Sequence, residues 1–80
     1  MDEPVIATTA LRHGLRPHDI VHAIRNPVRA IAVDDGITML IGPGRTGALL
    51  EIGVVQGHPR PVVVHAMPAR VRFLTSGGER

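Results

Sequence analysis

Apolar residues at helical spacing predict a short helix near the start of the chain. Between residues 5 and 13 they recur every three to four positions, the period of one face of an α-helix. These apolar residues are Ile6, Ala7, Ala10 and Leu11. Gly14 follows, and glycine readily adopts the left-handed conformation that ends many helices. We therefore expect a helix over residues 5–13.

A second helix is predicted to begin at Pro17 and to end at Asn26. Proline suits the first helical position, and Asp19 lies in the first turn, where the helix dipole favours a negative charge. The expected buried stripe comprises Ile20, Val21 and Ile24. Pro27 disfavours helical geometry at the residue before it, so the helix should end there.

After Pro27 the hydrophobic pattern changes from a helical period to alternation. The predicted strands are residues 28–33, 37–41, 48–56 and 61–66. The turns between them, such as Asp34-Asp35-Gly36, are short enough to join antiparallel neighbours. Residues 70–74 fit either an edge strand or a short helix. This order of elements predicts an α+β fold with two short N-terminal helices followed by a four-stranded antiparallel sheet.

Length and composition place the chain among small globular domains. Its 80 residues predict one domain, 1–80, with an ordered core over about residues 5–74 and a frayed tail over 75–80. No apolar run reaches the roughly 18 residues that span a membrane, and the acidic start of the chain is unlike a signal peptide. We therefore expect a cytoplasmic protein without membrane contact. The lack of cysteine excludes disulfides and cysteine nucleophiles.

Arginine supplies the permanent positive charge of this chain. There are nine arginines, no lysine and seven acidic residues, which leaves a net charge of +2. Arginine without lysine is typical of GC-rich coding sequences, and arginine also grips phosphate in a two-point geometry. One phenylalanine without tyrosine or tryptophan argues against a base-stacking surface for single-stranded nucleic acid.

The end of the last predicted strand carries the first candidate site. His65 is followed by Arg70, and the residues between them include a proline that favours a corner. The histidine has either a structural role or a role in acid–base catalysis, because imidazole exchanges protons near neutral pH. Paired with an arginine, it could cleave RNA without a metal or other cofactor. Glu51, which lies among apolar neighbours, is either an orienting group or base, or an outward-facing strand residue.

Two further groups of basic residues are candidates for contact with phosphate. The two predicted helices carry basic residues that form either a solvated polar face or a contact surface for RNA or an acidic partner: Arg12, His13, Arg16, His18, His22 and Arg25. Among them, Arg12, His22 and Arg25 are the candidates for RNA binding. His18 and His22 are one helical turn apart, but no third metal ligand is evident nearby. Arg45 lies in a glycine-rich loop that lacks the lysine of a phosphate-binding P-loop. This loop is either a plain hairpin connection or one that brings Arg45 to a phosphate.

Several short segments are similar to one family of small bacterial proteins. These segments are Arg-His-Gly-Leu at 12–15, Asp-Ile-x-x-Ala-Ile at 19–24, Gly-Pro-Gly-Arg at 42–45, Leu-Leu-Glu at 49–51 and His-Ala-Met-Pro-Ala-Arg at 65–70. Together they resemble the BrnT-like and DUF4258-like group, over about residues 11–74. The resemblance implies a RelE-like ribonuclease fold and a cytoplasmic toxin with a neighbouring antitoxin. The group usually has an arginine where this chain has Met67.

The leading hypothesis is therefore the toxin of a type II toxin–antitoxin system, a metal-independent endoribonuclease acting on mRNA. His65 is the expected acid or base, Arg45 and Arg70 hold phosphate, and Glu51 and His22 are secondary candidates. Its expected partners are a cognate antitoxin and RNA or the ribosome. The alternative is a non-catalytic module that forms a homodimer or holds a protein partner along an exposed strand edge. A third possibility is a small-molecule-binding domain or a domain without chemistry.

Overall fold

The computed structural model describes residues 4–74, so the predicted fraying of residues 75–80 lies outside the described part of the chain. Its strands are β1 (Val5–Ile6), β2 (Arg29–Ala32), β3 (Thr38–Pro43), β4 (Leu49–Val55) and β5 (Val62–Pro68). Its helices are α1 (Pro17–Arg25) and α2 (Val71–Leu74). Two 3-10 turns, Thr8–Leu11 and Asp34–Gly36, complete the described elements.

The strands form one mixed sheet in the order β1-β5-β4-β3-β2. Strands β2 to β5 are antiparallel neighbours, and β1 lies parallel to β5 at the far edge. The protein is thus α+β, with a five-stranded mixed sheet and its second helix near the C-terminal end. The predicted RelE-like arrangement, two N-terminal helices followed by a four-stranded antiparallel sheet, is wrong.

The helix predicted over residues 5–13 does not form. Val5 pairs with Val62 and Ile6 with Val63, so the start of this segment is a strand, and the rest is a 3-10 turn. The spacing of apolar residues reports only local periodicity. It cannot show that residues 5–6 form a strand, because their partner strand β5 lies more than fifty positions further along the chain. Gly14 nevertheless adopts the left-handed conformation expected of it, with φ of +81°.

Helix α1 (Pro17–Arg25) confirms the predicted helix, but Val21, which was expected in the buried stripe, is only half-buried and Ala23 is buried instead. The helix ends at Arg25, with Asn26 as its C-cap, and it buries Ile20, Ala23 and Ile24. The helix lies very close to β3, because a Cβ added at Gly42 would stand 2.3 Å from the carbonyl oxygen of Ala23. A glycine is therefore required where α1 crosses the sheet.

The sheet carries a cluster of apolar side chains on each side. On the face covered by α1 and the first 3-10 turn, which we call the first face, the largest fully buried residues are Ile20, Ile52 and Val63. On the second face, Phe73 of α2 packs with Met39 and Ile41. None of the helices within residues 4–74 is both long and apolar enough to cross a membrane.

Candidate functional site

Glu51 is completely buried in the middle of β4. Its partners in the sheet are Ile41 on β3 and Met67 on β5, so its side chain emerges on the second face between apolar neighbours. Of the two alternatives open for this residue, the structure thus excludes an outward-facing position in solvent. Burial of an ionised carboxylate is costly unless positive or hydrogen-bonding groups are paired with it.

Arg70 is the main partner of this carboxylate. Its backbone N–H donates to Oε1 of Glu51 at 2.8 Å, and its Nε lies 3.1 Å from the same oxygen. Its Nη2 donates to Oε2 at 2.8 Å, which completes a two-point guanidinium–carboxylate pair. The Arg70 side chain is 45% exposed, and its guanidinium lies 5.5 Å from the ring centroid of Phe73. One edge of the guanidinium is therefore fixed on Glu51 while the group remains accessible to solvent.

His65 shares the same carboxylate from the neighbouring strand. Its Nε2 lies 2.9 Å from Oε2 of Glu51, and its side chain is 29% exposed. An ionised carboxylate can only accept hydrogen bonds, so Nε2 carries the hydrogen of this bond. In the neutral ring Nδ1 is then the nitrogen that accepts a proton. The cluster thus holds one imidazole in a defined orientation and tautomer.

A second imidazole, which the sequence interpretation did not assign to this site, lies beside His65. The ring of His13 is 6.0 Å from the ring of His65, centroid to centroid, in an edge-to-face arrangement. His13 follows the first 3-10 turn in the chain. This turn lies beside β5, and the hydroxyl of Thr9 donates to the carbonyl oxygen of Val64 on that strand. No sequence signal links two residues 52 positions apart, although His13 belongs to one of the segments that resemble the BrnT-like group.

The hydrogen bonds keep Glu51 ionised despite its burial. Burial alone would raise the pKa of this carboxyl, but the side-chain and backbone hydrogen bonds from Arg70 and the bond from His65 outweigh it. The net effect is a pKa below the ordinary value. The same ion pair raises the pKa of the Arg70 guanidinium. At neutral pH the cluster therefore contains a negative charge on Glu51 beneath the positive charge of Arg70.

The structure brings together His65, Arg70 and Glu51 but places Arg45 elsewhere. The backbone N–H and the Nε of Arg45 both donate to Oδ1 of Asp19, at 2.9 and 3.2 Å. These bonds join the β3–β4 loop to α1 and lower the pKa of Asp19. Arg45 thus forms hydrogen bonds with α1 rather than with the Glu51 cluster.

The predicted RNA-binding residues also occupy two different places. Arg12 is exposed and directly precedes His13 in the chain. His22 and Arg25 lie on α1, where they line an open groove together with Arg45. No three histidine, aspartate or glutamate side chains of residues 4–74 are grouped as metal ligands, so the pair His18 and His22 has no third member there.

Fold and site together define a small α+β domain with a part-exposed histidine and arginine held on a buried carboxylate. No family model, no curated protein and no solved structure matches this chain. The resemblance to the BrnT-like and DUF4258-like group therefore stays a prediction from short segments.

Proposed function

We propose that this protein is a metal-independent endoribonuclease whose active site is formed by His65, Glu51, Arg70 and His13. The observation that carries the proposal is the pair of imidazoles, 6.0 Å apart, one of which is held by a buried carboxylate that also binds an arginine. Cleavage of RNA through its own 2′-hydroxyl requires a base, an acid and a positive charge, and no cofactor. The four side chains provide these three functions.

His65 is the base of the proposed reaction. The hydrogen bond to Glu51 leaves Nδ1 to take the proton of the ribose 2′-hydroxyl, and the buried carboxylate stabilises the imidazolium that results. The 2′-oxygen then forms a bond to phosphorus while the bond from phosphorus to the 5′-oxygen breaks. The products are a 2′,3′-cyclic phosphate and a 5′-hydroxyl.

His13 and Arg70 act on the other atoms of the same step. His13 is the acid that gives a proton to the departing 5′-oxygen. Arg70 stabilises the charge that develops on the phosphate, and it keeps its orientation because Nε and Nη2 are bound to Glu51. The Nη1 group of Arg70 donates to no residue among 4–74, so Nη1 is available to a phosphate oxygen.

The cellular role we propose is that of a cytoplasmic toxin with a cognate antitoxin, acting on mRNA. This role rests on the segments at 12–15 and 65–70 that resemble the BrnT-like group. The net charge of +2 provides only weak attraction to free RNA, so the ribosome is the expected source of additional affinity.

The test is cleavage of single-stranded RNA by the purified chain in the presence of a chelator, with analysis of the product ends. We expect 2′,3′-cyclic phosphate ends, and no cleavage of an RNA whose target ribose lacks the 2′-hydroxyl. His65→Gln and His13→Gln should each lower the rate by about 100-fold or more. His58→Gln, an exposed histidine in the β4–β5 loop, is the matched control and should retain activity. Equal cleavage by His65→Gln and wild type would refute the site.

A second candidate function is the binding of a protein partner or a second copy of the chain without catalysis. Within the described residues β2 pairs with β3 on one side only, and Val28, which directly precedes β2, is 67% exposed. Such an edge can accept another strand. Ala30→Lys, at an exposed position of β2, should then weaken self-association measured by light scattering. A wild-type chain that stays monomeric and binds no antitoxin would argue against this function.

A further inference from the structure

A second cluster of cationic side chains lies on α1, apart from the residues of the proposed active site. It is an open groove of about 490 Å³ that we call the α1 groove. Its lining consists of His18, Val21, His22 and Arg25 from α1 and Arg45 from the β3–β4 loop. These helical positions are three or four apart, so they follow one another along a single face of the helix.

Two hydrogen bonds fix the geometry of the groove before any ligand arrives. Asp19 accepts from the backbone N–H and from Nε of Arg45, which holds the loop against α1. The two Nη groups of Arg45 donate to no side chain or carbonyl within residues 4–74, and the side chain is 48% exposed. Arg45 therefore presents the outer edge of its guanidinium without having to be ordered by the ligand.

His22 is fixed in a similar way. Its Nδ1 lies 2.7 Å from the carbonyl oxygen of Pro43, and because a carbonyl only accepts, Nδ1 carries the hydrogen. The remaining nitrogen, Nε2, accepts from a P–OH group, or donates to a phosphate oxygen once the ring has taken up a proton. Arg25 adds a second permanent positive charge to the lining.

We propose that the α1 groove binds the phosphate of a nucleotide-sized ligand. Guanidinium and imidazole groups are the side chains that recognise phosphate by charge and by directed hydrogen bonds. A volume of about 490 Å³ lies within the range of small-molecule sites, roughly 300 to 1,000 Å³. The rings of the lining are the imidazoles of His18 and His22, and stacking on a ring discriminates little among bases. We therefore expect recognition of the phosphate with little selectivity among bases.

This proposal does not depend on the proposed ribonuclease activity. The α1 groove shares no residue with the cluster of His65, Glu51, Arg70 and His13. Phosphate binding in the groove and RNA cleavage on the second face can therefore be tested separately.

The experiment is a titration of the full chain with adenosine diphosphate, followed by the backbone amide resonances in nuclear magnetic resonance spectra. We expect shifts confined to α1 and the β3–β4 loop, similar shifts with inorganic pyrophosphate, and none with adenosine. Arg45→Gln should weaken binding at least tenfold. Arg60→Gln removes the same charge from the loop at the other end of β4 and should bind as wild type does.

A second variant keeps the test valid if Arg45→Gln disturbs its loop. Arg25→Gln leaves the Arg45–Asp19 bonds in place and should also weaken binding at least tenfold. A short RNA without terminal phosphates distinguishes two sources of the phosphate. If the groove recognises phosphates of an RNA backbone, this RNA should bind as well as adenosine diphosphate; if it requires a terminal phosphate, the RNA should not bind. Equal affinity for adenosine, or unchanged affinity in both the Arg45 and Arg25 variants, would overturn the proposal.

Discussion

At the scale of single residues, Glu51 shows how a charge can occupy a position that the strand pattern reserves for an apolar side chain. Both its oxygens accept hydrogen bonds, from the backbone and side chain of Arg70 and from His65. Without these partners, a buried carboxylate would cost several kcal/mol. The ionised form of Glu51 is thus part of what joins β4, β5 and the residues that follow β5.

The stability of the protein should consequently fall in acid. The pKa of Glu51 in the folded chain lies below its ordinary value of 4.5, so its stabilisation is complete above that pH. It is lost as the pH falls through the folded-state pKa, because protonation breaks the pairing with Arg70 and His65. Urea unfolding of wild type from pH 7 to pH 3 should show this decline below about pH 4.5.

Glu51→Gln is the control for this acid response. The variant keeps the shape of the side chain but cannot change its charge, so its stability should be lower at pH 7 and should vary less between pH 5 and 3. Parallel pH dependence in both proteins would mean that other carboxylates, such as Asp19, cause the acid response.

Gly42 illustrates a second requirement at the residue scale. Its added Cβ would stand 2.3 Å from the backbone oxygen of Ala23, and a backbone carbonyl in a helix cannot turn away. Gly42→Ala should therefore lower the free energy of unfolding by about 1–3 kcal/mol, measured by urea denaturation. Gly53→Ala is the matched comparison, because its Cβ would meet only side-chain atoms, at 3.1 Å or more. If Gly53→Ala is the more damaging change, the close packing of α1 on β3 is not the reason for the glycine.

At the scale of elements, α2 depends on the sheet for its existence. Four residues are too few for a helix that is stable by itself. Phe73 anchors it against Met39 and Ile41, and Nη1 of Arg29 on β2 donates to the carbonyl of Phe73 at 3.2 Å. The position of α2 also determines where Arg70 lies, because Arg70 directly precedes the helix.

Removal of the Phe73 ring should expose this dependence. Phe73→Ala should cost about 3 kcal/mol of unfolding free energy, since it empties the centre of the second-face cluster. It should also lower RNA cleavage if Arg70 acts as proposed. Val71→Ala, at a position that is 72% exposed in the same helix, should change stability by no more than about 0.5 kcal/mol. Thermal and urea unfolding of the two variants would measure the difference.

At the scale of the whole molecule, β4 links the two faces of the sheet. Leu50 and Ile52 belong to the first-face cluster, while Glu51 between them belongs to the site on the second face. Because successive side chains of a strand point to opposite faces of a sheet, β4 contributes residues to both faces. Neither face can separate from the sheet without disrupting β4.

The whole described domain should therefore unfold in one step. In urea, the methyl resonance of Ala23 on the first face and the ring resonances of Phe73 on the second should show the same midpoint. A Phe73 transition at clearly lower urea would show that α2 and the second face unfold independently. We expect Glu51→Gln to lower the urea midpoints of Phe73 and Ala23 by the same amount. A larger decrease for Phe73 than for Ala23 would also indicate independent unfolding of the second face.

Much of the local structure could be predicted from the sequence because its signals are local. Pro17 and Asn26 mark the ends of α1, Gly14 marks the left-handed residue, and alternation marks the strands, although their bounds shift by one or two residues. The candidate residues His65 and Arg70 were also evident, because both follow from one short segment. Their partner Glu51 stood out only as a charge in an apolar strand.

The tertiary structure alone decided the role of the first segment and the composition of the site. Residues 5–6 became a strand because β5 offers them an edge, and that pairing joins positions far apart in the chain. The separation of His13 and His65 in the chain likewise leaves no sequence signal that their rings are neighbours. Arg45, which was expected to act with His65 and Arg70, instead pairs with Asp19 of α1. Periodicity reports which side of an element is buried, whereas contacts between distant segments depend on how all the elements pack.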